Sequence, residues 1–492
     1  MMKILFVASE VDPILKVGGI ADVVGSLSKR IKELGAEVRI IIPFYQPLKE
    51  KLKGSLTQLT SFKVWADQEE EEVVVWETQF LSGSEKIKLY LISHPEYLSA
   101  KDIYLDVKDF AHLKRFLFFN QAVMGFLENF SWQPEIVHCH DWQAGILPLL
   151  IKKKKLNIKS FFTIHNLLIQ GQWNYDSTLK FLGLSEQDYP SLKYKKTGPY
   201  GENFNVLQQA ILNADLISVV SPNYAQEIKT KKYYARGLEK VIKKREKDIH
   251  GILNGIDIKT FNPQTDKNIV QNYSFKDIFL KNENKIFLQK SLKLKPDSEI
   301  PLLTMVSRLD VQKGVDLICQ ATENLITKNI QFIFLGTGER KHEKMLKGLS
   351  ERYPEKVKAL IKFDSKLAQQ IYAGGDMFLM PSKFEPCGLS QLIAMRYGNI
   401  PIARATGGLV NTVENIREEK KLFGLKKKIK GTGFVFDGFS PEKFTQTIKR
   451  ALCFYDHKKQ WKKIQENAMQ KDFSWKNSAE NYLKLYKKLL NQ

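Results

Sequence analysis

Short apolar runs rich in β-branched and aromatic residues alternate with amphipathic segments along this chain, and the whole alternation occurs twice. In the first half, residues 4–8, 37–43, 87–93, 136–138, 160–164 and 216–221 read as strands, with helical patterns such as 22–34 and 110–129 between them. Successive strands separated by a helix pair in parallel, because the chain needs a crossover to return in the same direction. The pattern therefore predicts an α/β fold built on a largely parallel, doubly wound sheet. Residues 61–92, with acidic Glu69 to Glu72, read as a hairpin that adds antiparallel strands at one edge.

The second series begins near Pro301. Residues 302–307, 331–335, 357–362, 377–381, 400–403 and 433–436 read as strands, and 314–327 and 366–372 as helices. A chain of 492 residues exceeds what one core usually serves, so two domains are expected. Residues 258–298 are polar and lack strong periodicity, which places the boundary within 255–263. The expected division is a first domain over 1–257, a second over 258–472, and an amphipathic closing helix within 473–492.

The formal charge is +22, from 76 Lys+Arg against 54 Asp+Glu. The densest basic runs (152–155, 243–245 and 426–430) are short and far apart, and they read as solvated faces. No aromatic-interleaved basic motif accompanies them, so no specific nucleic-acid partner is expected. Cys139, Cys319, Cys387 and Cys453 show no CxxC spacing, which suits a reducing cytoplasm and offers no zinc site. The chain opens directly on a strand-like run, so no leader is expected. No stretch approaches ~20 uninterrupted apolar residues, so no membrane span is expected.

In doubly wound sheets, ligands bind beyond the carboxyl ends of the strands. Each chemically distinctive motif here follows a predicted strand. Lys16-Val-Gly-Gly-Ile-Ala-Asp22 follows the first strand and opens a helix. Gly18 and Gly19 would let the backbone approach a ligand, the helix N-terminus offers N–H groups to a phosphate, and Lys16 adds a charge. A tight turn with a solvated lysine accounts for the same residues.

Ser307-Arg-Leu-Asp-Val-Gln-Lys-Gly314 occupies the matching position in the second half. Arg308 and Lys313 could neutralise a diphosphate. A departing nucleoside diphosphate gains negative charge as a glycosidic bond breaks, so fixed cations favour the transition state over the ground state. In Phe384-Glu-Pro-Cys-Gly-Leu-Ser390, Glu385 could accept hydrogen bonds from sugar hydroxyls, and the N–H groups of Cys387, Gly388 and Leu389 would open a helix. Cys387 itself reads as a small packed residue, with no adjacent histidine to activate it.

His138-Cys-His-Asp-Trp142 and Thr163-Ile-His-Asn166 read as loops that position a sugar. The HxHD pattern can suggest a metal, but further ligands have no obvious source, so neither metal nor cofactor is expected. Asn254-Gly-Ile-Asp257 and Thr406-Gly-Gly-Leu409 are glycine turns, and Arg404-Ala-Thr-Gly-Gly408 resembles a backbone nest suited to a phosphate or a hydroxyl.

In their order along essentially the whole chain, these segments resemble the bacterial glycogen synthases and plant-type starch synthases. The motifs that carry the resemblance are Lys16-Val-Gly-Gly19 with Ala21-Asp22, His138-Cys-His-Asp-Trp142, His165-Asn166, Asn254-Gly255, Ser307-Arg308 with Gln312-Lys-Gly314, residues 381–391, Thr406-Gly-Gly-Leu409 and Asp472-Phe-Ser-Trp475. The resemblance implies a GT-B architecture: two Rossmann-like domains facing across a deep cleft, with the last helix returning to the first domain. It also implies metal-free, retaining transfer of glucose from ADP-glucose to the non-reducing end of an α-1,4-glucan.

On this resemblance Lys16, Arg308 and Lys313 handle the diphosphate. Asp141, His165, Asn254 and Glu385 surround the glucose, and the backbone carbonyl of His165 faces the developing oxocarbenium ion. Asn166, Thr406 and Gly407 fall within the matching substrate-binding motifs. Tyr104 matches an active-site aromatic, and Phe363 stands where the family often has a tyrosine against adenine. Ser99-Ala-Lys101 departs from the arginine-containing segment usual before the glycine-tyrosine turn, Ser390 replaces a threonine or asparagine, and Ile393 leaves no second carboxylate there. UDP-glucose or a different acceptor is the alternative within the same enzyme class. A glucan-binding protein without activity is the alternative outside it, and the retained cations and Glu385 count against that. The sequence leaves the oligomeric state open.

Overall fold

The computed structural model describes all residues except 83–84, 105–108, 188–191, 193–195, 199–200, 420–427 and 492. The basic run at 426–430 thus lies partly outside the described residues. Two compact units are formed, one by Met1–Asn254 with Trp475–Gln492 and the other by Gly255–Ser474.

The first unit is organised by β1 (Lys3–Val7), β2 (Glu37–Pro43), β3 (Thr57–Ala66), β4 (Glu69–Ser82), β5 (Glu85–Ser93), β6 (Ile136–His140) and β7 (Lys159–Ile164). Short strands β8 (Gln172–Asn174), β9 (Lys196–Gly198) and β10 (Gly201–Asn205) form a small antiparallel sheet in the order β8-β10-β9. With β11 (Leu216–Val219) and β12 (Ile249–Gly251), the main sheet has nine strands in the order β12-β11-β7-β6-β1-β2-β5-β4-β3.

The seven strands from β12 to β5 are mutually parallel, and β4 and β3 continue the sheet as an antiparallel hairpin at its edge. Buried Ile4, Phe6, Ile40, Ile42, Ile136 and Phe161 make the centre of the sheet apolar, as two covered faces require. The helix Gly19–Glu33 packs Val23, Val24, Leu27 and Ile31 into this core, and the C-terminal helix Trp475–Leu490 adds Tyr482, Tyr486 and Leu489.

The second unit contains β13 (Leu302–Val306), β14 (Gln331–Leu335), β15 (Val357–Leu360), β16 (Met377–Met380), β17 (Ile400–Arg404), β18 (Arg417–Glu419), β19 (Lys428–Lys430) and β20 (Phe434–Phe436). Six of them form a wholly parallel sheet in the order β15-β14-β13-β16-β17-β20, and β18 and β19 pair separately. The polar stretch before this sheet is not featureless, because it contains the helix Lys281–Ser291.

Its apolar period is broken by lysines on the buried face. Lys285 is buried and its ammonium donates to Asp376 Oδ2 at 2.6 Å and to Tyr455 Oη at 2.9 Å, while Lys281 donates to the carbonyl of Ala373. Paired charges of this kind can occupy a core, although they read as surface in a sequence. Among the described residues, no helix is long and apolar enough to cross a membrane.

Candidate active site

In the first unit the chain leaves β1 toward β2 on one side and leaves β6 toward β7 on the other. The loops diverge there, opening a crevice at the carboxyl ends of the strands. Ser9 and Glu10 follow β1 into it. Glu10 is fully buried, and its carboxylate accepts the N–H groups of Val17 (2.6 Å) and Gly18 (2.9 Å) and the hydroxyl of Tyr104 (3.0 Å). Burial pushes its pKa up, against the pull of those three hydrogen bonds.

The glycine loop therefore differs from its sequence reading. Two of its N–H groups serve Glu10, and the Lys16 ammonium pairs with Asp22. A Cβ on Gly18 would come within 3.1 Å of Glu10, whereas one on Gly19 would meet nothing within 4 Å. Glycine at 19 thus leaves clear space at the start of the helix, which is what close approach of a ligand needs. Nothing in the sequence singled out Glu10. The available signal was an acidic residue placed three positions after a buried strand, directly behind a serine.

Asp141 follows β6 with φ 57° and ψ −177°, a conformation close to glycine's own preserve. Its N–H donates to the Thr163 carbonyl at 2.9 Å, and its carboxylate accepts backbone N–H groups of His165, Asn166 and Trp142. Burial outweighs those bonds and raises the carboxyl pKa to about 7. His165 follows β7, with Nε2 at 3.0 Å from Nδ1 of His140, and burial pushes it down to about 3, so the ring is neutral. Asn166 Oδ1 accepts from the Leu168 N–H at 3.0 Å. Asn254 is buried, and its Oδ1 has no partner among the described residues.

His138 is no candidate metal ligand, because Tyr486 and Thr163 occupy its two ring nitrogens at 2.7 and 2.6 Å. Among the described residues, no group of three or more His, Cys, Asp or Glu side chains could hold a metal ion.

In the second unit the loops diverge between β13 and β16. Arg308 follows β13, 64% exposed, with its guanidinium 3.4 Å from Asp310. Asp310 also caps the turn by accepting the Lys313 N–H at 3.1 Å. Gly314 is required here, since its φ is +68° and a Cβ would lie 2.5 Å from the Pro381 carbonyl. This places the Lys313 ammonium 2.6 Å from Glu385 Oε2, which also accepts the Ser382 hydroxyl at 3.0 Å.

Cys387 is buried and packed, Gly388 (φ +73°) lets the chain turn, and the helix Ser390–Arg396 starts after Leu389. The Gln391 amide ties this turn by donating to the carbonyls of Cys387 (3.2 Å) and Gly388 (2.9 Å).

The Arg404–Gly408 segment braces the loop that carries Glu385. Arg404 donates to the carbonyls of Ser382 and Lys383, and Gly408 N–H donates to the Glu385 carbonyl at 3.0 Å. Thr406 is buried, and a Cβ at Gly407 would lie 1.9 Å from that same carbonyl. Glycine is thus dictated by how closely the loop crosses Glu385. Phe363 stands apart beyond the edge strand β15, 75% exposed.

The structure matches the catalytic domain of starch synthase IV from Arabidopsis thaliana, bound to ADP and acarbose, with a TM-score of 0.90 and 32% identity over 100% of both chains. A sucrose-phosphate synthase from Thermosynechococcus elongatus shares the fold at a TM-score of 0.63 and 18% identity, again over 100% of both chains. The fold is that of a two-domain GT-B glycosyltransferase.

Residues 3–244 match the family described as Starch synthase catalytic domain, and residues 288–469 match Glycosyl transferases group 1. Glycogen synthases of Clostridium beijerinckii and Thermosipho africanus are each 40% identical over 100% of both chains. The chain belongs to the glycogen and starch synthase family, glucosyltransferases that elongate a glucan.

Proposed function

We propose that this enzyme transfers glucose from ADP-glucose to the non-reducing end of an α-1,4-glucan in the cytoplasm, with retention of configuration and without a metal. The observation that carries the reading is the Lys313–Glu385 pair. A carboxylate able to accept from sugar hydroxyls lies 2.6 Å from a cation able to take phosphate charge. A ligand that touches both carries a sugar directly beside a phosphate, which a neutral glucan does not. Four free cysteines fit a reducing compartment.

In this reading Arg308 and Lys313 take up the charge that builds on departing ADP, with Lys16 adding to them. Asp141, His165, Asn166, Asn254 and Glu385 hold the glucose, and the backbone of Cys387, Gly388 and Leu389 shapes its pocket. Gly19 gives the donor room, Gly18 lets the loop close on Glu10, Tyr104 holds the glycine loop through Glu10, Thr406 and Gly407 line the donor pocket beside Glu385, and Phe363 stacks on adenine.

The test is incorporation of labelled glucose into glycogen from ADP-glucose and, separately, from UDP-glucose, followed by digestion with an exo-acting α-1,4-glucan hydrolase. Label from ADP-glucose, released by the hydrolase, is expected. Preferential use of UDP-glucose would overturn the donor, and label absent from glycogen would overturn the acceptor.

A further inference from the structure

Inside the first unit, a line of polar groups runs from the C-terminal helix to the loops that carry Asp141 and His165. The Tyr486 hydroxyl lies 2.7 Å from His138 Nδ1, His138 Nε2 lies 2.6 Å from Thr163 Oγ1, and Thr163 Oγ1 lies 2.7 Å from Ser218 Oγ. Ser218 in turn donates to the Tyr482 hydroxyl at 3.5 Å. Tyr486, His138, Thr163 and Ser218 are all fully buried.

We propose that Tyr486 is a positioning residue for glucosyl transfer, acting through His138 and Thr163 on the loops that present Asp141 and His165. The inference rests on the function proposed above.

The direction of the hydrogen bonds follows from counting protons. A neutral imidazole donates from one nitrogen and accepts at the other. With Ser218 donating to Tyr482, Thr163 donates to Ser218, His138 donates from Nε2 to Thr163, and Tyr486 donates to Nδ1. Every member then uses its proton, and a buried unsatisfied donor is avoided. His138 is thereby locked in its Nε2–H tautomer.

Two routes lead on to the site. His138 lies against His140 with ring centroids 4.1 Å apart, and His140 Nδ1 lies 3.0 Å from His165 Nε2. Thr163 is two residues before His165, and its carbonyl accepts the Asp141 N–H at 2.9 Å. The remaining nitrogen of His140, Nε2, is buried without a partner among the described residues. An orphaned acceptor is more readily tolerated there than an orphaned N–H, so His140 donates from Nδ1 and the proton of His165 is held on its own Nδ1. Removing the Tyr486 hydroxyl leaves His138 Nδ1 an unpaired acceptor, so the ring keeps its Nε2–H bond to Thr163 but loses the contact that fixes its orientation, and the Thr163 loop with it.

The test compares Tyr486→Phe, Thr163→Val and their combination with wild type, and uses Leu489→Ala as a packing control on the same helix. Tyr486→Phe is expected to lower kcat roughly tenfold with the donor KM within about twofold. The double variant should fall no further than the worse single one, because groups acting as one unit do not add. Leu489→Ala should lower the melting temperature and leave kcat of the folded enzyme unchanged.

In parallel, nitrogen NMR of histidine-labelled protein should show His138 as the Nε2–H tautomer in both proteins, with the Nδ1 resonance of Tyr486→Phe moved toward that of an imidazole nitrogen that accepts no hydrogen bond. Unchanged kcat in folded Tyr486→Phe, or additive losses in the double variant, would overturn the proposal. The tautomer readout needs no turnover. A wild type that fails to use ADP-glucose while His138 behaves as stated would count against the function and leave the relay standing.

Discussion

The two clusters at the two switch points are held in place by opposite means. In the first unit, Asp141, His140 and His165 sit where burial favours their neutral forms, and they are fixed by hydrogen bonds and by one costly backbone conformation. In the second, Lys313 and Glu385 fix one another as an ion pair, with Arg308 exposed nearby in sequence. A neutral, hydrogen-bonded cluster keeps its geometry without a counter-charge, which suits the recognition of an uncharged sugar. A charged cluster stores electrostatics, on which the departing diphosphate of the proposed reaction would draw, and each charge depends on its partner.

Breaking the charged cluster should have the largest effect. Lys313→Ala is expected to reduce turnover on the order of 10²–10³-fold. It should also destabilise the second unit by about 3 kcal/mol, because Glu385 is left buried without its counter-charge. Adding Glu385→Ala should recover part of the stability and none of the activity. Labelled transfer and scanning calorimetry read the two effects, and turnover within a few-fold of wild type would remove the ion pair from the chemistry.

Asp141→Asn probes the neutral cluster. Raised from 3.8 to about 7, the Asp141 carboxyl contributes stability that is complete below about pH 4 and is lost as the pH climbs to about 7. Above pH 7 the wild type carries that loss in full, and Asp141→Asn does not. Thermal melts from pH 4 to 8 should therefore show the variant less sensitive to rising pH, while its glucosyl transfer is reduced at every pH. Superimposable pH profiles would show that Asp141 is ionised throughout.

The smallest effect is expected outside both clusters. Phe363→Ala should raise the donor KM about tenfold through lost stacking, with kcat and melting temperature nearly unchanged, since the ring is 75% exposed. Phe363→Tyr should stay near wild type. A large fall in kcat with Phe363→Ala would mean that the ring does more than hold the base.

The parallel strands of both sheets were legible, apart from the short β12 (Ile249–Gly251), because buried parallel strands are written as apolar runs, and their order placed most motifs at a carboxyl end. Single site residues were legible for the same reason. Their partners were not. Lys313 and Glu385 are 72 positions apart, and only the sheet brings them together. Glu10 carries no local pattern, and Tyr486 reads as one more apolar residue on an amphipathic helix. Gly407 was legible as a necessary glycine, but the close crossing, which would put a Cβ 1.9 Å from the Glu385 carbonyl, was not. The helix Lys281–Ser291 was hidden because Lys281 and Lys285 point inward.

The return of the last helix to the first unit also sets the order in which the chain can be completed. Residues 255–474 form one continuous stretch, so the second unit has all its parts before the helix Trp475–Leu490 is made. The first unit, made earlier, lacks Tyr482, Tyr486 and Leu489 until the helix Trp475–Leu490 emerges. Domains usually finish in the order of their synthesis. Here the half translated first is the last to close, and its apolar face against the helix Gly19–Glu33 must stay shielded from other chains until residues 475–490 have joined it.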